Sequence, residues 1–491
     1  MTKFDRFSST IRVTAGEDPV DDATAAGDEP RFDVVVLCAL DGADERPTVL
    51  RFDRDRCDEV LARLYPTWRG PVAGEPVAIS FTTIDDFDPD RLLERVAPLA
   101  ALVRARRDPA GATVPLPPPA APASPAPPVV APAPPPAASG SMLEEMIAAT
   151  EAAWAREEAD RSPIRALAAD LAAPHSRPVE RGAAAQRAAV DAALAAHLRA
   201  LLHDPEFRRI EASWRDLRGL MMATDSTSRQ RLWLAPCEPA GLRRLPLTDP
   251  EATPLAGRLL VRRPALLVVD ASFGPSPTDV RALAGLASLA RALGAPCIAN
   301  ASPALLGRRS FAEVAGMRPD AIVAAARAAV TPEWQALRDD GRAGWIALAG
   351  PRLLGRLPYG SRTRPLASVP FEEATPEDDR GSTAAWSSPA VAVAAAAVRA
   401  FALRGADFDP RRDMRRIDGL PLVVDESTGE AEALPCTEVL LNDGQIEALS
   451  EVGILPLCAE RDRGAASLPF VQSIAALRAA LPLGRLRTPT E

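Results

Sequence analysis

The chain has 491 residues, enough for two or three cored domains, and its formal charge of −9 argues against broad binding to nucleic acid or anionic membranes. Lys3 is the only lysine, which excludes a Schiff-base or phosphate-loop lysine anywhere past the N-terminus. The six cysteines, Cys38, Cys57, Cys237, Cys297, Cys436 and Cys458, form no C-x-x-C pair and read as reduced packing residues of a cytoplasmic protein, not as a zinc site or a disulfide framework.

Residues 1–30 hold one alternating run, Thr10-Ile11-Arg12-Val13-Thr14, followed by an acidic stretch. With only Ile11 and Val13 facing inward, the run cannot be stable alone; it reads as a disordered tail or as a strand lent to another sheet edge. Met1 to Gly16 lacks the apolar segment of a signal peptide. Residues 31–107 read as a compact α/β unit. It opens with the apolar strand Phe32 to Leu40, an Asp41-Gly42 turn and a second strand near Thr48 to Phe52. Asp53 then caps a helix carrying Val60, Leu61 and Leu64, which Pro66 stops. A strand from Val77 to Thr82 leads to Asp88 and Pro89, which start one helix burying Leu92, Leu93, Val96, Leu99 and Val103.

Residues 108–140 are a linker: thirteen prolines between Pro109 and Pro136, interleaved with alanine, favour extended polyproline II and cannot build a core. Such a segment is expected to tether two separately folded parts. In residues 141–181, Leu143, Met146, Ile147 and Thr150 form a narrow stripe on a helix capped by Ser141, with Glu144 at the capping-box position. Residues 182–385 alternate helix and strand, with apolar strands at Gln230 to Leu234, Ala265 to Asp270, Cys297 to Ala301 and Trp345 to Ala349. This predicts an α/β fold of mixed sheets covered by helices, in two modules joined by the Pro/Ala-rich linker. The alanine-rich window Pro389 to Phe401 is too short to span a bilayer and reads as a buried helix, so no membrane insertion is expected.

Leu198 to Met221 has the clearest periodicity. Leu198, Leu201, Leu202, Phe207, Ile210, Trp214, Leu217 and Met221 recur at helical spacing, broken at Asp204-Pro205, where Asp204 caps a second helix and Pro205 takes its first position. Arg208, Arg209, Glu211, Arg215, Asp216 and Arg218 are assigned to the solvent face. Nothing in the chain reads as catalytic. Asp85 and Asp86 have no histidine or third carboxylate beside them and read as turn and capping residues. Asp270, at a strand's C-terminal end, is alone and reads as a turn or cap residue. Gly350 to Arg356 imitates a phosphate loop, but Pro351 removes an amide donor and Arg356 replaces the lysine. His197 and His203 are six apart, not at the spacing of a helical zinc pair. No catalytic residue, cofactor or metal is predicted.

Several of these words resemble the contractile sheath of type VI secretion systems. His203 to Leu220, with Phe207, Trp214 and Leu217, is similar to a helix pair of the sheath's large subunit, TssC. So are Ala349 to Gly360 (A-G-P-R-L-L-G-R-L-P-Y-G, with Pro351, Arg352, Pro358, Tyr359 and Gly360) and the segment opened by Trp386. Leu434 to Glu438, with Pro435, Cys436 and Glu438, and Glu447 to Leu457, with Gly453 and Pro456, continue the likeness. Arg31 to Gly42 and Phe81 to Asp90, with Asp86, Phe87 and Pro89, look like the small subunit, TssB.

The resemblance implies a non-enzymatic protomer in which small and large subunits, elsewhere separate chains, are fused. Its domains would be an arm at 1–30, a small-subunit-like module at 31–107, the linker at 108–140, an N-terminal helix at 141–181, a large-subunit-like module at 182–474 and a short divergent tail at 475–491 lacking the family's C-terminal region. The implied partners are other sheath subunits, an inner tube protein, a baseplate and a Clp-type AAA+ recycling ATPase that grips the Leu143–Thr150 helix. The alternative is an accessory or capping protein that binds a sheath without propagating it.

Overall fold

A computed structural model describes residues 31–38, 49–108, 178–224, 229–237, 253–375, 378–425, 432–476 and 478–483. The strand expected at Ile11 and Val13, the Asp41-Gly42 turn, the linker past Asp108 and the helix carrying Leu143, Met146, Ile147 and Thr150 lie outside the described residues. Chain contacts divide the protein into two bodies, residues up to 92 with those from 199 onward, and residues 93–198.

The strands are β1 (Phe32–Cys38), β2 (Leu50–Arg51), β3 (Thr67–Val72), β4 (Glu75–Ser80), β5 (Gln230–Pro236), β6 (Leu266–Phe273), β7 (Cys297–Ala301) and β8 (Ile346–Gly350). The short strands β9 (Leu353–Leu354), β10 (Trp386–Ser387), β11 (Arg416–Asp418), β12 (Val424–Asp425), β13 (Glu432–Ala433), β14 (Ile454–Pro456), β15 (Cys458–Ala459) and β16 (Ala465–Ser467) follow. The principal helices are α1 (Cys57–Leu64), α2 (Pro89–Arg95), α3 (Ala97–Arg107), α4 (Pro178–Leu202), α5 (Pro205–Ala223), α6 (Pro254–Arg262), α7 (Pro277–Leu293), α8 (Pro319–Ala329), α9 (Pro332–Asp339), α10 (Pro389–Arg404) and α11 (Asp443–Glu451).

Seven strands form one sheet in the order β14-β8-β7-β6-β1-β5-β2, parallel throughout except for β2, which runs antiparallel to β5. The position of β1 corrects the expectation of two separately folded parts. It lies between β5 and β6, with Phe32 opposite Gln230 and Cys38 opposite Pro236 on one side, and Val34 opposite Leu266 and Cys38 opposite Asp270 on the other. The physical reason is in the strand itself. Every residue of Phe32–Cys38 is buried, and an apolar run of that kind needs cover on both faces and partners on both edges. The segment 31–107 offers it neither parallel partner; its own β2 pairs with β5 instead.

Side chains alternate between two layers. Val35, Leu37, Leu267, Val269, Ala299 and Leu348 join Val280, Leu283, Leu286 and Leu289 of α7 in one continuous core. On the other face α10 packs over β6, β7 and β8 and against α5. Its alanines and valines permit that close approach, and Phe32 stacks on Phe401 with ring centroids 5.1 Å apart. The segment Pro389–Asp407 is long and apolar enough to cross a membrane by length and composition, yet most of it is buried inside the fold.

Locally, several expectations shift. Of the hairpin β3–β4 the sequence marks only the second strand, since Gly70 and Pro71 interrupt the first; its turn, Ala73-Gly74, has φ of 51° and 83°, the geometry of a tight hairpin turn. Asp53 accepts from Arg56 N–H at 3.1 Å but does not cap α1, which begins one residue after Arg56. The helix expected after Pro89 is two, α2 and α3, because Pro98 starts a new one; Leu102 and Ala105 are buried where Val103 was expected. In the body of residues 93–198, Arg106 pairs with Asp191 at 2.5 Å.

Candidate functional site

The start of α5 follows the sequence reading. Asp204 Oδ1 accepts the N–H groups of Glu206 and Phe207, both at 3.0 Å, and Pro205 occupies the first turn. Phe207, Ile210, Trp214, Leu217 and Met221 are all buried. Phe207 meets the stacked rings of Phe81 and Phe87 edge-on, at 5.8 and 6.1 Å, so residues near 81–87 and near 207 belong to one core.

The polar face of α5 departs from expectation. Glu211 is 1% exposed and receives Arg356 Nε at 2.8 Å and Arg215 Nε at 2.8 Å. Arg356, itself 4% exposed, turns its other edge to Glu373, with Nη1 and Nη2 at 2.7 and 2.9 Å from the two carboxylate oxygens. Glu373 also accepts the Tyr359 N–H at 2.7 Å, and the Tyr359 ring lies 4.5 Å from the Arg356 guanidinium carbon. Burial alone would lower the pKa of Arg356, but Glu211 and Glu373 reverse that and hold it above its usual value. Burial likewise opposes ionisation of Glu211, and Arg356 and Arg215 overcome it, so its carboxyl sits below the usual range. Thus the residue that stands where a phosphate-loop lysine would stand is the centre of a buried structural ion triad.

Four residues earlier, Arg352 makes a two-point contact with Glu438: its Nε at 2.9 Å and Nη2 at 2.5 Å from Oε1, while its own backbone N–H reaches Oε2 at 2.9 Å. Trp386 lies between Arg352 and Arg380, 5.6 and 5.2 Å from their guanidinium carbons, and Arg380 donates to Pro435 O at 2.6 Å. The Gly350-Pro351 peptide is cis. Cys436 is buried and its carbonyl accepts from Leu354 N–H at 2.8 Å. Tyr359 is buried, Pro358 O accepts from Thr363 Oγ1 at 2.5 Å, and a side chain at Gly360 would collide with Glu372. The words at 349–360, 386 and 434–438 therefore form one contact set.

The remaining residues singled out in sequence are placed as follows. Asp86 Oδ2 accepts the N–H groups of Thr82 and Thr83 at 2.7 and 3.0 Å, Phe87 is buried, and Pro89 begins α2. His203 has no hydrogen-bond partner for Nε2 among the described residues; burial, partly opposed by Glu373, holds its pKa below the usual value. Gly453, at φ of 93°, turns the chain from α11 into β14, where Pro456 is buried. Asp270 is not alone: it accepts from Ser213 Oγ at 2.5 Å and Asn300 Nδ2 at 3.4 Å. Nor does Asp216 face solvent freely; it accepts the Ser388 N–H at 2.6 Å and lies 2.5 Å from Ser387 Oγ. The sequence reading assigns Glu211 and Asp216 to solvent and gives Glu373 and Asn300 no role; apart from the Arg215–Glu211 pair within α5, their partners come from fourteen or more residues away.

Among the described residues no group of three His, Cys, Asp or Glu is placed to hold a metal ion. A cleft of about 350 Å³ lies beside the N-terminal end of β8, between Trp345, Pro410, Val471, Leu481 and Leu483. Asp409 and Arg411 are its ionisable lining residues.

Residues 263–475 match the VipB family, described as EvpB/VC_A0108, tail sheath N-terminal domain. The chain is 29% identical over 317 residues to the type VI secretion system sheath protein TssC1 of Pseudomonas aeruginosa, a match covering 58% of this chain and 60% of that protein. The chain thus spans about 60% of the length of this curated relative. The matched segment contains β6 to β14, α10 and the contact set around Arg352 and Glu438, on an open sheet covered by helices. By these matches residues 263–475 are similar to a tail sheath N-terminal domain, and the chain is similar to a type VI secretion sheath protein.

Proposed function

We propose that the protein is a sheath protomer in which a small-subunit-like segment (31–107) and a large-subunit-like segment (182–474) are fused, and that it assembles around an inner tube and contracts to propel it. The observation that carries this reading is the insertion of β1, from the first segment, between β5 and β6 of the second. If the two segments were once separate subunits, their association is built into the main sheet, and the linker only raises their effective concentration. A contractile polymer needs a head-to-tail contact that does not close. It also needs cohesion while domains rotate, which a strand lent through Ile11 and Val13 would supply. In this reading the partners are further sheath subunits, the tube protein, a baseplate and a Clp-type AAA+ ATPase acting on Leu143, Met146, Ile147 and Thr150, all in the cytoplasm.

Negative-stain microscopy of the purified full chain tests it. Regular tubes are expected, and Ile11→Pro with Val13→Pro should abolish them. Monomers or rings that shorten tubes made by a full-length sheath would instead identify a capping protein.

A further inference from the structure

The seam between α5 and α10 carries a second buried polar feature. Asp216 on α5 lies 2.5 Å from Ser387 Oγ and accepts the N–H of Ser388, the N-cap of α10, at 2.6 Å. Ser388 Oγ donates to Asn300 Oδ1 at 2.9 Å, and the same oxygen accepts the Ala390 N–H at 2.9 Å. Asn300 Nδ2 reaches Asp270 at 3.4 Å, and Ser213 Oγ donates to Asp270 at 2.5 Å. One side-chain network therefore ties α5, β6, β7, β10 and α10 together.

It holds two carboxyl groups, and among the described residues the cation within electrostatic reach of its Cys38 edge is Arg209, which pairs with Glu206. The groups facing it are Ser213 and Asp216 from α5, Asp270 from β6, Asn300 from β7, Ser387 and Ser388 from β10 and α10, Cys38 from β1 and Cys237 just past β5. The arginines nearest in the chain are engaged elsewhere: Arg209 with Glu206, and Arg215 with Glu211 and Tyr359. Arg356 is held by Glu211 and Glu373.

We propose that Asp216 is a neutral carboxylic acid in the folded protein at neutral pH, and that its ionisation in mildly alkaline solution loosens the α5–α10 seam, making this contact a proton-dependent latch. As a neutral acid its O–H donates to Ser387 Oγ while the other oxygen keeps the Ser388 N–H. Once ionised, it faces Asp270 with no counter-charge between them. Burial, reinforced by Asp270, pushes the Asp216 carboxyl up to about 8, against the lowering effect of Ser387 and Ser388. Because the folded pKa lies above the unfolded one, the native state holds an extra proton and loses stability as pH rises toward that value, with no further loss above it.

The latch belongs to the folded chain, so its test does not depend on tube formation. Infrared spectroscopy of the full chain should show a protonated-carboxyl band that titrates away near pH 8 and is missing in Asp216→Asn, which keeps a donor toward Ser387 and an acceptor for Ser388. Amide exchange at Ser388, Ala390 and Val391 should quicken in step with that titration. Asp270→Asn should move the titration to lower pH. A band unchanged in Asp216→Asn, or amide protection at the start of α10 that does not respond as the band titrates, would overturn the proposal.

Discussion

The indole Nε1 of Trp68 donates to Asp204 Oδ1 at 2.8 Å, and that oxygen is the one that caps α5. A side chain from the β3–β4 hairpin thus completes the N-terminus of a helix more than a hundred residues later. Gly70 makes room for it, since a Cβ there would overlap the Trp68 ring.

Removing the shared acceptor should cost more than either interaction alone. Asp204→Ala is expected to destabilise the protein by about 2–3 kcal/mol, about 1 for the cap and the rest for the stranded indole N–H. Trp68→Phe should lose only about 1 kcal/mol of hydrogen bonding. Gly70→Ala should displace the indole and lower stability by about 1–3 kcal/mol. Chemical denaturation of the three variants orders these effects, and an Asp204→Ala loss equal to that of Trp68→Phe would contradict the double role.

The ion triad predicts strong asymmetry. Arg356→Met leaves Glu373 buried without its cation and Glu211 with Arg215 alone, and should cost about 3–5 kcal/mol. Replacing all three residues with apolar side chains of similar volume should restore most of that loss. Equal stability of the single and triple variants would rule out the triad as an interdependent unit.

Asp33 provides a pH signature. It is 8% exposed inside β1, and burial pushes its carboxyl up to about 6 despite Arg231 and the Trp233 indole nearby. With the folded pKa above the unfolded one, the native state binds the extra proton between about pH 4 and about pH 6, so stability falls across that window and is then level. Relative to Asp33→Asn, the wild type should lose on the order of 2 kcal/mol between those limits. Parallel thermal melts of the two proteins across that range would show the difference.

The place of β1 predicts fragment complementation. Residues 1–108 and 141–491 produced as separate chains should co-purify, and neither should fold alone, because removing β1 leaves β5 and β6 with unpaired edges inside the core. A cooperative unfolding transition for 141–491 alone would contradict this.

Much of the element pattern was legible from local chemistry. The α5 stripe with its Asp204-Pro205 start, the strands at 266–273, 297–301 and 346–350, and the buried alanine-rich helix all follow from periodicity and capping. The fate of the charged residues was not legible. Glu211 and Asp216 sit at positions that helical spacing assigns to solvent, and only Arg356, Ser387 and Ser388 arriving from distant segments turn that face into an interior.

What the sequence by itself determined was which segments form elements, because periodicity, caps and prolines act over a few residues. The tertiary structure decided which segments share a sheet. Phe32–Cys38 carries apolar side chains toward both faces and exposes backbone donors and acceptors along both edges, so its place depends on which strands can satisfy those groups. That choice is made by β5 and β6, more than a hundred and ninety residues away, and no local pattern encodes it.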